Sequence, residues 1–150
     1  SALDVGAGAG KYGRIMKAIN PNSVVDAVEI WEPYINEFGL SSVYDSIYLD
    51  DIKSFDIKKK YDVIILGDIL EHMSEIEALD VWEKCLNNAK FVLLSIPTIH
   101  YPQGAYAGNP YEEHVVDDWN HEKVMEKFKR IYLYQNFTQT SSYIANGYNN

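Results

Sequence analysis

Short apolar runs alternate along this chain with stretches of helical period, the pattern of a parallel sheet covered by helices. Ala2 to Val5 reads as a strand that runs directly into Gly6, Gly8 and Gly10. Lys11 to Ile19 follows as a helix, with Tyr12, Ile15, Met16 and Ile19 spaced to share one buried face, and Asn20-Pro21 stops it. Val24 to Ile30 predicts a second strand. Pro33 then opens a short helix where the first turn tolerates it, Ile35 and Phe38 face inward, and Gly39 ends it. Val43 to Leu49 and Tyr61 to Leu66 are the third and fourth strands, with Lys58-Lys59-Lys60 a solvated turn between them.

The second half keeps the alternation. Ser74 with Glu77 forms a capping box, and Ile76, Leu79, Trp82 and Leu86 make the buried stripe of the helix it starts. Phe91 to Ile96 is apolar throughout, as expected of a strand covered on both faces. Pro97 to Asp118 has no period, and loops of that length are often functional. Asn120 caps a last helix, Trp119 and Val124 form a hydrophobic staple, and Met125 and Phe128 continue the face. Arg130 to Phe137 and Thr138 to Ala145 close the chain as strands. The expectation is an α/β fold: one domain over residues 1–150, with seven strands and about four helices.

Composition narrows the setting more than the fold. A chain of 150 residues can bury a core without staples. No apolar run approaches the ~18 residues of a membrane span, and the start does not read as a signal peptide. The one cysteine, Cys85, makes no internal disulfide, so a reducing cytoplasm is expected. Cys85 lies in a helix and reads as a buried, inert thiol. The net charge is −9, and Tyr61 to Glu122 carries twelve acids against Lys84 and Lys90. A surface that neutralises phosphates carries the opposite excess, so nucleic acid is not the expected partner.

The chemistry concentrates at strand ends. A strand that ends in alternating glycines and enters a helix lets backbone approach a ligand, and the helix offers unpaired amides. Glu29 ends the second strand; in a doubly wound sheet that places a carboxylate beside the first loop, where it can accept both hydroxyls of a ribose. Asp51 follows the third strand, placed to receive a donor such as an adenine amino group. Gly8-Ala9-Gly10-Lys11-Tyr12-Gly13 also matches G-x-G-x-x-G, which keeps a nicotinamide oxidoreductase open as an alternative. Its first glycine should follow the strand directly, and that place belongs to Gly6. Asn109-Pro110-Tyr111 reads as turn chemistry. His72, His100, His114 and His121 share no metal-ligand spacing on one element, so no metal is expected, and His121 reads as a first-turn surface residue.

Taken in order, these segments resemble the class I S-adenosylmethionine-dependent methyltransferases. Ala2 to Gly10 looks like their first motif, and Val25-Asp26-Ala27-Val28-Glu29 like the second-strand motif with its ribose-binding acid. Leu49-Asp50-Asp51-Ile52 is similar to the adenine-contacting segment. Tyr61 to His72, ending Leu70-Glu71-His72, resembles the fourth-strand motif of small-molecule methyltransferases, and Glu113-His114 before Trp119 resembles the segment ahead of their last helix. The resemblance implies a single doubly wound, mostly parallel seven-stranded sheet with an antiparallel last strand and helices on both faces. It implies S-adenosylmethionine as cofactor. Asp4 would orient its methionine amino group through water, Gly6, Gly8 and Gly10 would pass beneath it, and Glu29 would hold the ribose. Ile30 would pack on the adenine, Asp51 and Ile52 would contact the adenine edge, and Asp68 and Ile69 would line the methionine end.

The acceptor is less defined. His72 and His114 are the candidate bases; Tyr101, Tyr106 and Tyr111 offer broad faces with polar tips, and Glu112 and Glu113 add negative charge at the same mouth. These favour a small or medium-sized neutral or cationic acceptor, methylated on O or N. A catalytically silent adenosyl-binding module or partner subunit is the alternative from another class. Such enzymes usually carry a helical segment before the first strand, whereas Ser1 is already at the strand. Either the chain is a fragment or its acceptor pocket is unusually open. Oligomeric state is not written in the sequence.

Overall fold

The computed structural model describes residues 1–148. Its strands are β1 (Ala2–Val5), β2 (Val25–Glu29), β3 (Ser46–Leu49), β4 (Tyr61–Gly67), β5 (Ala89–Pro97), β6 (Ile131–Asn136) and β7 (Thr140–Asn146). They form one sheet in the order β3-β2-β1-β4-β5-β7-β6. The first five run parallel, and β7 is antiparallel to both β5 and β6. The register of β5 on β7 pairs Pro97 with Thr140, so β7 starts at the rim where β5 ends.

Helices α1 (Lys11–Ile19), α2 (Glu32–Glu37), α3 (Glu75–Asn88) and α4 (His121–Lys127) cover the sheet. Alternation along β1 sends Leu3 and Val5 into the larger core, with Trp82, Trp119, Phe128 and Tyr143. Ala2 faces the smaller core, with Val25, Ala27, Leu40 and Tyr44. The aromatic residues of the larger core interlock: Phe128 lies 5.2 Å from both Trp82 and Trp119, centroid to centroid. The capping box is present at Ser74, whose hydroxyl accepts from the Glu77 amide while the Glu77 carboxylate accepts from the Ser74 amide. Asn120 caps α4 through the Lys123 amide, and the staple residues Trp119 and Val124 are both buried. Cys85 is fully buried, its thiol pushed up to about 12 by that burial.

Several expectations from periodicity need correction. On α1, Ile15 is 46% and Ile19 76% exposed, and the buried residue is Gly13. The ring of Tyr44 lies where a Gly13 Cβ would be, so glycine at that position makes room for the ring. On α3, Ile76 is 75% exposed, and the stripe is Ala78, Val81, Trp82, Cys85 and Leu86. Met125 of α4 and Phe91 of β5 are also exposed, so β5 is bare on one side at that point. The third strand begins at Ser46; Val43 and Tyr44 precede it as buried loop residues after a 3₁₀ turn at Leu40–Ser42. His121 is not a plain surface residue: its ring stacks on Tyr143 at 5.8 Å and its Nδ1 meets the Tyr143 hydroxyl at 3.1 Å.

The long segment between β5 and α4 is irregular except for a 3₁₀ turn at Pro110–Glu112. The Asn109 side chain accepts from the Tyr111 amide, the Asx turn expected there. The segment folds back over the strand ends because the Glu71 carbonyl accepts from the amides of both Val115 and Val116.

Candidate functional site

The carboxyl ends of the parallel strands converge on three contiguous clefts. The first is built by the glycine loop after β1. Gly6, Gly8 and Gly10 all hold positive φ, at 69°, 49° and 75°. At Gly6 the left-handed backbone favours glycine, and the tip of the Ile69 side chain occupies the space a Cβ would take. The loop is fastened to β2 by Glu29: Oε2 accepts from the Gly8 amide at 2.9 Å and Oε1 from the Trp31 amide at 2.8 Å. Glu29 is only 4% exposed, and burial raises its pKa, opposed by those two amides. A carboxylate has about four lone-pair sites, so each oxygen keeps one for a further donor in the cleft. Gly6, Ala7, Gly8, Lys11, Tyr12, Glu29 and Asp68 share this cleft.

The second cleft is an apolar slot between Val5, Val28, Ile30, Ile52, Ile69 and Met73, with Asp50 and Asp51 at its rim. Its walls suit a flat ring. Asp51 is held in place as its Oδ1 accepts from the Lys53 amide at 2.9 Å. Tyr111 closes the slot and meets Trp31 edge-on at 6.1 Å.

The third cleft opens beyond β4. Asp68, the residue after that strand, holds φ 56° without being glycine, a strained backbone of the kind found where side chains are aimed at a site. A 3₁₀ turn at Leu70–His72 follows. His72 Nδ1 lies 3.1 Å from the Glu113 carbonyl and His114 Nδ1 lies 2.6 Å from the Tyr101 carbonyl. A carbonyl partner makes each Nδ1 the donor, leaving the lone pair on Nε2. The two rings stand 4.9 Å apart, edge to face. Burial lowers the pKa of His72, so its imidazole is a neutral acceptor at neutral pH. Glu71 is 1% exposed, neither carboxyl oxygen has a hydrogen-bond partner among the described residues, and burial pushes its pKa up to about 8. Tyr101, Glu112 and Thr140 complete the cleft. His72 lines all three clefts.

The structure thus brings Gly6, Gly8, Glu29, Ile30, Asp51, Ile52, Asp68, Ile69, His72 and His114 to one rim, and places five further residues differently. Asp4 is 1% exposed and lines none of the clefts directly; its Oδ2 accepts from the Tyr44 hydroxyl at 2.5 Å and its Oδ1 has no partner among the described residues. Gly10 serves as the left-handed entry to α1. Tyr106 is 66% exposed and lines none of the clefts, and Tyr111 belongs to the apolar slot, not the acceptor side. The Glu113 side chain is exposed and contributes only its carbonyl, whereas Glu112 reaches inward and accepts from the Tyr34 hydroxyl at 2.9 Å. Sequence reasoning passed over Glu71 and Tyr34. Glu71 stood inside the Leu-Glu-His run, but Tyr34 carried no signal. As for the G-x-G-x-x-G alternative, its third glycine, Gly13, packs on Tyr44 inside α1. An antiparallel β7 between β5 and β6 also departs from the dinucleotide-binding strand order.

The sequence matches no protein-family model and no curated protein sequence. Solved structures do match. The DhpI complex with S-adenosylhomocysteine is 13% identical, covers 99% of this chain and 77% of its own, and superposes with a TM-score of 0.78. An S-adenosylmethionine-dependent methyltransferase from Clostridium acetobutylicum ATCC 824 is 15% identical over 97% of this chain and 82% of its own, TM-score 0.71. The N-terminal domain of EvdMO1 with S-adenosylhomocysteine bound is 11% identical over 97% of this chain and 74% of its own, TM-score 0.69. With the strand order and the antiparallel β7, these likenesses show that the chain has the class I S-adenosylmethionine-dependent methyltransferase fold.

Proposed function

We propose that the chain binds S-adenosylmethionine and transfers its methyl group to an O or N atom of a small or medium-sized, neutral or cationic acceptor. The observation that carries the reading is the meeting of the three clefts at His72, with Glu29 preset by two amides beside the glycine loop. The residues fit the cofactor: Glu29 keeps lone pairs for two ribose hydroxyls, and the apolar slot between Ile30, Ile52 and Ile69 takes the adenine. Asp51 reaches its edge, while Gly6, Gly8 and Asp68 line the methionine side.

S-adenosylmethionine, when bound, supplies an activated methyl group on a sulfonium whose departure leaves a neutral thioether. The chain supplies position and proton traffic. The lone pair on Nε2 of His72 or His114 takes the proton that the acceptor loses as its oxygen or nitrogen is alkylated. Glu112 and Asp68 make the acceptor cleft unfavourable to phosphate-rich molecules. The one cysteine is buried and free, in keeping with a reducing cytoplasm as its setting, and no described helix is long and apolar enough to cross a membrane.

Calorimetric titration with S-adenosylmethionine, S-adenosylhomocysteine and NAD tests the cofactor; binding of NAD alone overturns the reading. Transfer of radiolabelled methyl into extracts fractionated by size and class tests turnover. Tight adenosyl binding with no labelled product in any fraction identifies a silent binding module.

A further inference from the structure

The acceptor cleft contains three converging donors, more than the single histidine that proton transfer needs. Glu71, His72 and His114 each offer one ligand atom, and these atoms all lie within 4.8 Å of one another. The Glu71 carboxyl is 1% exposed with both oxygens lacking a partner among the described residues, and buried carboxylates persist where they are paired or coordinate a cation. Each histidine has its Nδ1 held by a backbone carbonyl, Glu113 for His72 and Tyr101 for His114. That is the outer arrangement that orients metal-binding imidazoles and leaves Nε2 as the ligand. The Glu71 carbonyl also grips the amides of Val115 and Val116, which keeps the segment bearing His114 against the turn bearing Glu71 and His72.

We infer that Glu71, His72 and His114 bind one divalent first-row transition cation on the acceptor side of the site. Two imidazole nitrogens and a carboxylate oxygen select such an ion over magnesium or calcium, which take oxygen donors. Bonds of about 2.0–2.2 Å hold donors inside the 4.8 Å that bounds these three, so binding asks at most a small inward adjustment of their side chains. The remaining coordination positions face the cleft beside Asp68 and Tyr101.

Occupancy of this site stands independently of the methyltransferase reading; its role rests on that reading. A hydroxylated acceptor bound through oxygen becomes a stronger acid on the ion. Its proton leaves to water at the mouth of the cleft, its oxygen forms the bond to the methyl carbon, and the electron pair of the broken carbon–sulfur bond stays on sulfur. The imidazoles are then ligands, and the ion takes over the activation.

The test uses the whole chain, stripped with chelator and titrated calorimetrically with manganese, zinc and magnesium chlorides, each sample also titrated with S-adenosylhomocysteine. The expected result is one manganese or zinc ion per chain, with magnesium much weaker. His114→Ala and Glu71→Gln each remove a ligand and should weaken that binding by more than the about 10–100-fold that losing an outer-shell partner costs, while His100→Ala, which alters an exposed histidine, leaves it unchanged. Circular dichroism verifies folding; should Glu71→Gln fail to fold, the half-buried His114 decides the question. Absence of stoichiometric manganese or zinc binding, or binding that survives His114→Ala intact, overturns the inference. If S-adenosylhomocysteine binds and the metals do not, the ion fails and the methyltransferase reading stands. Metal binding without adenosyl binding does the reverse.

Discussion

Glu29 already commits one lone pair of each oxygen to an amide of its own chain, so its replacement removes the fastening of the loop together with the proposed ribose contact. Hydrogen bonds to a charged group are worth about 1.5–3 kcal/mol, so Glu29→Ala should weaken S-adenosylhomocysteine binding by about 10–100-fold in calorimetry. Unchanged affinity removes the ribose assignment. Asp4 makes a prediction of a different kind. Its pKa is raised to about 7, first of all by burial, so the folded state holds a proton that the unfolded chain has released. The stability contributed by this carboxyl is therefore fully present near pH 4 and is lost as pH rises to about 7. Within that window each step of one in pH removes at most about 1.4 kcal/mol. Glu71 contributes with the same sign. Asp4→Asn should flatten part of this decline in urea midpoints measured across pH; an unaltered slope refutes it. Glu29 was readable because the end of a strand has one position in this sheet. Asp4 was not, because the facing of its side chain depends on strand alternation that the glycines do not reveal.

Among the elements, the caps were the most legible because they are local. Ser74 and Glu77 satisfy each other's amides within four residues, and Ser74→Ala should cost about 1 kcal/mol, read as a lowered Tm without loss of adenosyl binding. Faces were less legible. Apolar spacing on α1 pointed to Ile15 and Ile19, yet tertiary packing chose Gly13, because Tyr44 needs the space that a side chain would fill. On α3 the small Ala78 turns inward in place of Ile76. Counting hydrophobic residues favours large ones, whereas a tight helix–sheet contact favours whichever residue lets the backbones approach. The segment from 97 to 118 had no period to read, so Tyr101, Tyr106 and Tyr111 could not be sorted; the structure gives them to the acceptor cleft, to solvent and to the apolar slot respectively.

For the molecule as a whole, the mostly parallel seven-stranded sheet with its antiparallel last strand followed from the family resemblance of the motifs, but the pairing of His72 with His114 did not. Those histidines come from separate segments and meet only because the irregular loop folds back onto the end of β4. Their joint presence in the acceptor cleft predicts that His114→Ala slows methyl transfer by about 10²-fold or more while S-adenosylhomocysteine affinity is kept, since His114 lines the acceptor cleft and neither adenosyl cleft. Equal rates in wild type and variant would exclude it from the chemistry. The antiparallel course of β7 divides the molecule's duties further. Because Thr140 stands opposite Pro97, the hairpin turn from β6 delivers Gln139 and Thr140 to the wall of the third cleft, while they line neither of the other two. On the function proposed above, exchanging a few side chains at that hairpin should alter which molecule receives the methyl group while nucleoside affinity stays as it is.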